Sequence, residues 1–253
     1  MKIFQTAPAA PQLPAPQHPA PPTASLFAPA KLLAVGLVLA ALPLGARAQG
    51  LPTRRGADPA PRQVAVLFGL NQPLLAKGFN IEANYYTKRL VFDYSHGASL
   101  DFSGPNGGDQ IKAQGLALHM PFTTGFGVGY RFSKLVNLRV EPKLHRFEIY
   151  YAGDAQTAGN RITAYNTFSL GLGLYFKWQP FEKQEGLLRG LIVAPSVRYW
   201  PNLATGLTND QFRYQNRTTD RTETHQAQQP GIANTPVVVN VSVGYALDLR
   251  KRK

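Results

Sequence analysis

The chain of 253 residues contains no cysteine, little negative charge and no long apolar run. The absence of cysteine excludes a disulfide-stapled scaffold, a thiolate metal site and a lipid anchor on an N-terminal cysteine. No apolar run reaches the roughly 20 residues that a membrane-spanning helix needs, so a helical membrane bundle is excluded as well. The 14 acidic residues stand against 27 basic ones, for a net charge of +13. The basic residues are scattered rather than clustered, so nucleic acid is not indicated as a partner.

The front of the chain has the parts of a secretory signal peptide. Residues 1–30 are rich in proline and alanine, and Lys31 then precedes an apolar run over 32–44. Ala46 and Ala48 form a small-x-small cleavage site directly after that run. We therefore predict a leader and signal peptide over 1–48, with cleavage after Ala48. An N-terminal membrane anchor is the alternative, and the unusual proline-rich leader raises the hypothesis of a start site further downstream.

From residue 63 onward the apolar residues recur at every second position, which is the period of a β-strand. In the last such segment valines, a tyrosine and leucines occupy the odd positions from 237 to 249, whereas polar and small residues occupy the even ones. No long segment shows the helical period of 3.6 residues. The alternation predicts eight strands, near 63–71, 78–87, 89–102, 115–133, 135–151, 162–180, 187–200 and 236–249.

One of these segments changes phase. After Leu144 the apolar positions become Phe147, Ile149 and Tyr151. A β-bulge near His145 or Arg146 would produce this shift. The alternative is that the strand leaves the apolar layer at that point.

The connectors indicate a closed barrel. Three are tight, at Thr87-Lys88, Ser133-Lys134 and 182–186; three are long and polar, near 103–114, 152–161 and 201–234; and 72–77 is intermediate. Short turns on one side and long loops on the other are typical of outer-membrane barrels, and an even strand count places both termini on the short-turn side. We predict an all-β fold, a closed antiparallel transmembrane β-barrel of about eight strands over 63–249. It follows a short periplasmic segment over 49–62 and precedes a basic tail over 250–253. A ten-stranded variant, with an extra hairpin over 103–121, is the alternative.

The composition of the two strand faces predicts which one meets lipid. The polar face is rich in glycine and serine, which suit a narrow lumen but weaken a solvent-facing strand. Aromatic residues lie near strand ends on the apolar face, where an interfacial girdle would lie. They are Tyr85, Tyr94, Tyr130, Phe132, Trp178, Tyr199 and Tyr245. A secreted soluble barrel with its apolar face inward, such as a lipocalin, is the alternative.

Charged residues of both signs lie on the predicted inward face. Because an eight-stranded lumen is barely wide enough for side chains, we expect these charges to pair with one another and to plug the barrel. An ion path is the alternative. The predicted lumen charge network comprises Glu82, Asp93, Arg131, Arg139, Glu141, Lys143, Lys177, Arg198 and Asp248.

Together, the signal peptide, eight alternating strands, tight turns and polar loops resemble the small eight-stranded bacterial outer-membrane β-barrel proteins. The resemblance is one of architecture over about 63–249 and includes no signature motif. Many such barrels end in an aromatic residue that the assembly machinery reads, whereas Leu247, Leu249 and a basic tail follow Tyr245 here. The resemblance implies an outer-membrane location and insertion by periplasmic chaperones and the barrel-assembly machinery. It also implies contact with outer-membrane lipid and lipopolysaccharide. Known members are structural anchors, adhesins or stress proteins, and a few modify lipids.

The sequence shows no spacing that specifies catalysis, a metal or a cofactor. Adjacent Ser95 and His96 point to opposite faces of a strand, and no His-x-Ser pair of the lipid A deacylase kind is present. The segment 104–108 is rich in glycine but lacks the Lys-Ser/Thr ending of a phosphate loop. His96 and His119 could meet only at the outer rim. We therefore expect no enzyme, with a lipid A-modifying hydrolase as the minor alternative.

The long loop after the seventh strand is the strongest candidate for a specific interaction. It mixes charged, polar and aromatic residues, and alternation at Phe212 and Tyr214 indicates strands that extend above the membrane. A merely solvated loop is the alternative. We expect a structural or adhesive role through the outer loops, with a narrow, porin-like channel as the alternative. The interaction candidates are Phe212, Arg213, Tyr214, Arg217 and Arg221.

Overall fold

The computed structural model describes residues 62–102, 111, 113–231 and 234–249. The predicted cleavage site at Ala46 and Ala48, the segment 49–61, the glycine-rich segment 104–108 and the tail 250–253 lie outside the described residues.

Eleven strands and one short α-helix make up the described regular structure, besides two 3₁₀ turns. In chain order they are β1 Gln63–Gly69, α1 Asn71–Leu75, β2 Phe79–Tyr86, β3 Leu90–Asp101, β4 Leu116–Arg131, β5 Val136–Tyr151, β6 Thr163–Phe176, β7 Leu191–Tyr199, β8 Asn202–Thr205, β9 Gln211–Asn216, β10 Arg221–Gln226 and β11 Val237–Asp248.

Eight of the strands close into one antiparallel barrel. Each of the strands β1 to β6 pairs with the next strand along the chain, and β11 pairs with both β7 and β1, where Tyr245 lies opposite Val66. Strand β8 adds to the upper part of β6, and β9 and β10 form a separate hairpin. The prediction of an eight-stranded closed barrel is therefore confirmed, and the ten-stranded alternative is not what the described residues form.

Side-chain hydrogen bonds hold two of the tight turns. The Leu90 amide donates to Thr87 Oγ1 at 2.8 Å, and the amides of Leu135 and Val136 donate to Ser133 Oγ, each at 3.1 Å. These turns lie at the same end of the barrel as Gln63 and Asp248, the first and last strand residues, which pair with each other. We call this the periplasmic end and the opposite one the outer end.

The outward face of the barrel is apolar. Along β4, for example, Phe126, Val128 and Tyr130 point outward and are 44–59 % exposed, whereas the glycines between them are buried. A closed barrel satisfies every backbone group of its ladder internally, so an apolar outer belt fits hydrocarbon rather than water. This polarity excludes the soluble-barrel alternative. Among the described residues, no helix is both long and apolar enough to cross a membrane.

The phase change in β5 has a simple structural explanation. Strands β5 and β6 stay in register from Val136 to Ile149, so the predicted bulge near His145 or Arg146 is wrong. Phe147 and Ile149 continue the inward row of Arg139 and are fully buried. The irregularity lies in β4, where the register with β5 shifts between His119 and Phe122.

What changes along β5 is therefore the chemistry of its two faces. Toward the outer end the interior becomes apolar, while Arg146 and Glu148 on the outside form an ion pair with 3.5 Å between Nε and Oε1. Polar residues outside and apolar residues inside are the arrangement of a protein in water. The strand thus leaves the apolar layer at this level, as the second alternative stated.

Candidate functional site

The barrel interior is divided into three levels. A small apolar cluster that includes Ala65, Leu67 and Ile192 lies toward the periplasmic end, and a larger one that includes Phe147 and Ile149 lies toward the outer end. Between them lies a group of six buried charged residues, which we call the charged layer. It consists of Glu82, Asp93, Arg139, Glu141, Lys143 and Arg198.

Arg139 is the centre of the charged layer. Its Nη1 lies 2.6 Å from Glu82 Oε1 and 3.2 Å from Asp93 Oδ1, and its Nε donates to Asn137 Oδ1 at 2.7 Å. The guanidinium also stacks on the ring of Tyr175, 3.8 Å from its centroid. One cation on β5 thus joins carboxylates from β2 and β3 across the lumen. Such pairing is what makes a buried charge tolerable.

Glu141 receives donors of another kind. The Tyr175 hydroxyl donates to Oε1 at 2.6 Å, and the indole Nε1 of Trp200 donates to Oε2 at 3.1 Å. Lys143 Nζ lies 3.9 Å from the same carboxylate and donates to Ser95 Oγ. Arg198 lies with its Nη2 3.8 Å from Glu82 Oε2. The three carboxylates and three cations of the layer therefore interact as one group.

Glycines create the space that this group needs. A Cβ added to Gly171 would lie 1.5 Å from Trp200 Cδ1, and one added to Gly127 would lie 2.2 Å from Asp93 Oδ1. The glycines on the inward face are thus required by close packing, which agrees with the sequence argument that a narrow lumen needs small residues.

Three of the predicted lumen charges lie at the periplasmic end. Arg131 donates to the Thr87 carbonyl oxygen, and Lys177 donates to Gln63 Oε1. Gln63 in turn donates to Asp248 Oδ1 at 2.8 Å. Arg131 and Lys177 share the ring of Tyr86, which lies under the charged layer. The predicted set is therefore brought together as a central group of six and an end group of three.

Sequence reasoning missed the aromatic partners of these charges. Tyr175 and Trp200 both accept a stacked cation and donate to Glu141. Their positions in the alternation pattern could have identified them. Tyr175 lies on the polar, inward face of β6, and Trp200 continues the inward row of β7. An aromatic residue on a polar strand face has a reason to lie there when it supplies a hydrogen-bond donor to a buried group.

The outer end holds a cavity of about 350 Å³ above the charged layer, which we call the outer chamber. Its wall includes Ala76, Leu118, Met120, Phe147 and Trp200, together with polar groups from α1 and from 228–231.

His145 lies at the floor of the outer chamber and was not among the predicted site residues. Its ring is buried and hydrogen-bonded on both sides, Nδ1 to Thr123 Oγ1 and Nε2 to Ser169 Oγ, each at 2.8 Å. The sequence contains no His-x-Ser spacing, but the fold brings His145 of β5 and Ser169 of β6 together as a histidine–serine pair.

The histidines considered for a lipid-modifying site do not meet. His96 lies opposite Thr124, whereas His119 lies opposite Asp101, five positions further along β3. His119 Nδ1 is instead 3.7 Å from Glu148 Oε2. The Ser169–His145 pair does have a nucleophile-and-base geometry, but Ser169 is fully buried and does not line the outer chamber.

The β9–β10 hairpin corrects part of the predicted interaction site. Phe212 and Tyr214 are only 5 % and 4 % exposed, since the even positions of β9 pack into the outer apolar cluster. They are therefore core residues and offer no surface to a partner. Arg213 and Arg221 are exposed. Arg217 is exposed but engaged, because its two terminal nitrogens bind Asp154 at 3.0 and 2.9 Å.

Comparison with known proteins gives only distant likeness. No family model and no curated protein matches the chain. Among solved structures, Ail, the attachment invasion locus protein of Yersinia pestis, aligns at 10 % identity and a TM-score of 0.36, over 74 % of this chain and 99 % of that one. A major outer membrane protein from Thermus thermophilus aligns at 15 % identity and 0.40, with the same coverage. A de novo designed transmembrane β-barrel aligns at 12 % identity and 0.28, over 76 % and 98 %.

Because all three TM-scores are low, the assignment rests on the chain's own features. The barrel is closed, its belt is apolar, and its middle is filled with paired charges. The β2–β3 and β4–β5 turns at the periplasmic end are short, the β6–β7 connection at that end spans 177–190, and the longest connection, from β7 to β11, lies at the outer end. These features together define a barrel that crosses a bilayer. The chain is an eight-stranded transmembrane β-barrel of the bacterial outer membrane.

Proposed function

We propose that the chain is a non-conducting outer-membrane barrel that contacts saccharides of the cell surface through its β9–β10 hairpin. The observation that carries the proposal is the outward face of this hairpin. Six exposed side chains form one polar sheet surface, which we call the hairpin face. They are Gln211, Arg213, Gln215, Thr222, Thr224 and Gln226.

The hairpin is held as a rigid platform. Its inner face packs on the outer apolar cluster through Phe212 and Tyr214. Its tip is held by the Arg217–Asp154 pair, and Tyr151 donates a hydrogen bond from its hydroxyl to the Gln215 carbonyl oxygen at 2.6 Å. A surface that is ordered before binding loses less entropy when a ligand docks.

The chemistry of the hairpin face suits a hydroxyl-rich, anionic ligand. Amide and hydroxyl groups can both donate and accept hydrogen bonds. Arg213, which forms no ion pair among the described residues, supplies a planar donor for phosphate or carboxylate. The sugar and phosphate groups of lipopolysaccharide in the surrounding leaflet carry these features. The charged layer supports the proposed lack of conductance, because paired side chains fill the lumen between two apolar clusters.

The test is binding of the full-length protein, inserted in nanodiscs, to immobilised lipopolysaccharide. An Arg213→Ala variant removes one charge-assisted hydrogen bond, so we expect about tenfold weaker binding. Arg189→Ala is the matched control, because Arg189 is an exposed arginine at the periplasmic end that pairs with Asp248. Equal binding by the two variants would refute a role for the hairpin face.

A second function, hydrolysis of a lipid ester, is favoured by one observation, the 2.8 Å contact between His145 Nε2 and Ser169 Oγ. It requires a conformation that brings Ser169 into the outer chamber. Mass spectrometry of lipid A from cells expressing the protein or its Ser169→Ala variant separates the two functions. An acyl group removed only by the unaltered protein would establish the hydrolase.

A further inference from the structure

The outer chamber has three properties that the proposed saccharide contact does not use. It is partly enclosed, largely apolar and lined on one side by residues of α1 and β11. A volume of about 350 Å³ lies within the range of small-molecule sites, roughly 300–1,000 Å³. Its apolar wall is formed by residues such as Leu100, Phe102, Leu118 and Met120, so a ligand would need an apolar body.

The wall changes character where β1 ends. Strand β1 pairs with β11 only as far as Gly69, opposite Ser242. From Val237 to Val241, β11 therefore pairs with β7 on one side, while its edge toward β1 has no partner strand among the described residues. Helix α1 covers this edge instead. The Leu70 amide donates to the Val241 carbonyl at 2.9 Å, and the Asn71 side chain donates to the Val239 carbonyl at 2.6 Å.

At this gap the lining of the chamber meets the outward row of β11. Val239 belongs to the exposed outward row of β11, yet it is part of the chamber lining together with Val238, Asn71 and Gln72. One helical turn and one side chain thus separate the chamber from the surroundings of the barrel. A seam of this kind can be opened by moving α1 alone, without breaking the β-ladder.

The Gln72 side chain lies at the seam end of the chamber. Gln72 Oε1 is buried and accepts no hydrogen bond among the described residues. A buried acceptor without a donor raises the free energy of the folded protein. A ligand that donates a hydrogen bond to this atom would remove that cost and would therefore bind more tightly. The polar groups of His145 differ, because Thr123 and Ser169 already satisfy both ring nitrogens.

From these observations we infer that the outer chamber binds a single-chain amphiphile with an apolar body and a hydrogen-bond-donating head, such as a hydroxyl group. The body lies against the apolar wall and the head donates to Gln72 Oε1. The seam between α1 and β11 is the entrance for a molecule that comes from the membrane, whereas a small solute could come from the medium. The inference is independent of the saccharide contact, which lies on the outside of the hairpin.

The two tryptophans of the chain make a direct test possible. Trp200 lines the chamber, whereas Trp178 is exposed near the periplasmic end. A Trp178→Phe protein in liposomes therefore reports on the chamber alone. We expect a brominated long-chain alcohol to quench Trp200 saturably, and the unbrominated alcohol to compete. Quenching that rises in proportion to the alcohol in the bilayer, without saturation, would overturn the inference.

Variants in the same background locate the site. Ala76→Phe fills the chamber, and Leu118→Phe fills it from another wall in case the first variant does not insert. Either should abolish saturable quenching. Ala83→Phe adds the same ring to the lipid-facing surface of β2 and should change nothing. Gln72→Leu should weaken binding of the alcohol about fivefold, the size of one neutral hydrogen bond, and leave a brominated alkane unaffected.

A second probe distinguishes a ligand that enters from the membrane from one that enters from the medium. Saturation by the long-chain alcohol but not by a short, water-soluble bromoalcohol identifies the membrane as the source. Saturation by the short alcohol alone identifies the medium, and either result supports the site. Equal quenching in the Ala76→Phe and Ala83→Phe proteins, both shown to be folded by their gel mobility, would refute it.

Discussion

Arg139 joins three strands of the barrel through buried ion pairs. It is the common partner of Glu82 and Asp93, and both carboxylates are buried. We expect Arg139→Met to destabilise the barrel by about 3–5 kcal/mol, the effect of leaving buried charges without their partner. Urea titration of the liposome-inserted protein, followed by the mobility of unheated samples on gels, measures the change.

The matched control for Arg139 is a charge in an exposed pair. Lys134 and Glu182 lie 3.2 Å apart at the periplasmic surface, with side chains about half exposed. Removal of Lys134 should cost no more than about 1 kcal/mol. If both variants unfold at the same urea concentration, the charged layer does not hold the barrel together.

Gly171 tests the packing of the same layer without removing a charge. Alanine at this position would collide with Trp200 and displace the indole that donates to Glu141. In the Trp178→Phe background we expect a shift in Trp200 emission and a loss of stability of about 1–3 kcal/mol, typical of overpacking. Gly159→Ala is the control, because nothing lies within 4 Å of the added carbon. An unchanged spectrum for Gly171→Ala would argue against the close packing of these two residues.

At the level of elements, the β9–β10 hairpin depends on a contact that acid should release. The hydrogen bond from Arg217 lowers the pKa of Asp154 below its usual 3.8. A lowered pKa means that the contact contributes fully above pH 3.8 and is lost as the pH falls through the lower, folded-state value. We therefore expect hydrogen exchange of the hairpin amides to increase selectively in strong acid.

The Asp154→Asn variant isolates this effect. Its hairpin should exchange faster at neutral pH and should lack the additional acid step. Because the pair is exposed, the change should be confined to the hairpin, and the barrel amides should remain protected. An acid step of the same size in the variant would assign the transition to another group, such as Glu223.

At the scale of the whole molecule, the sequence predicted the barrel fold more accurately than the side-chain contacts inside the barrel. Strand period, turn length and inward glycines indicate the strand number and the lipid-facing side, because each is a local consequence of a closed membrane sheet. Alternation alone does not show where the membrane ends. Phe147 and Phe212 belong to an apolar interior above that level. There the apolar residues face inward and the polar ones outward, which is the reverse of the arrangement within the membrane. The bulge assigned to β5 and the exposed role assigned to Phe212 and Tyr214 both came from this reversal.

The aromatic partners and the outer chamber depend on contacts between residues distant in sequence. Trp200 meets Glu141, and His145 meets Ser169, only after the strands have taken their register. The covering of the β11 edge by α1 likewise depends on where β1 stops. No period or spacing in the chain contains this information.

The filled lumen leads to a prediction about the intact protein. Arg139, Glu141 and Trp200 are buried in the lumen between two apolar clusters, so ions would have to pass through a layer of packed and paired side chains. We expect the unaltered protein to give no conductance steps in planar bilayers. An Arg139→Ala/Trp200→Ala double variant removes two large side chains and leaves carboxylates behind, so it should conduct weakly and prefer cations. The Arg189→Ala protein is altered only at the periplasmic surface, so it should give no conductance steps. If the unaltered protein conducts and Glu141→Gln changes its ion selectivity, the charged layer is an ion path. The principal function would then be ion transport through the lumen and not binding at the hairpin face.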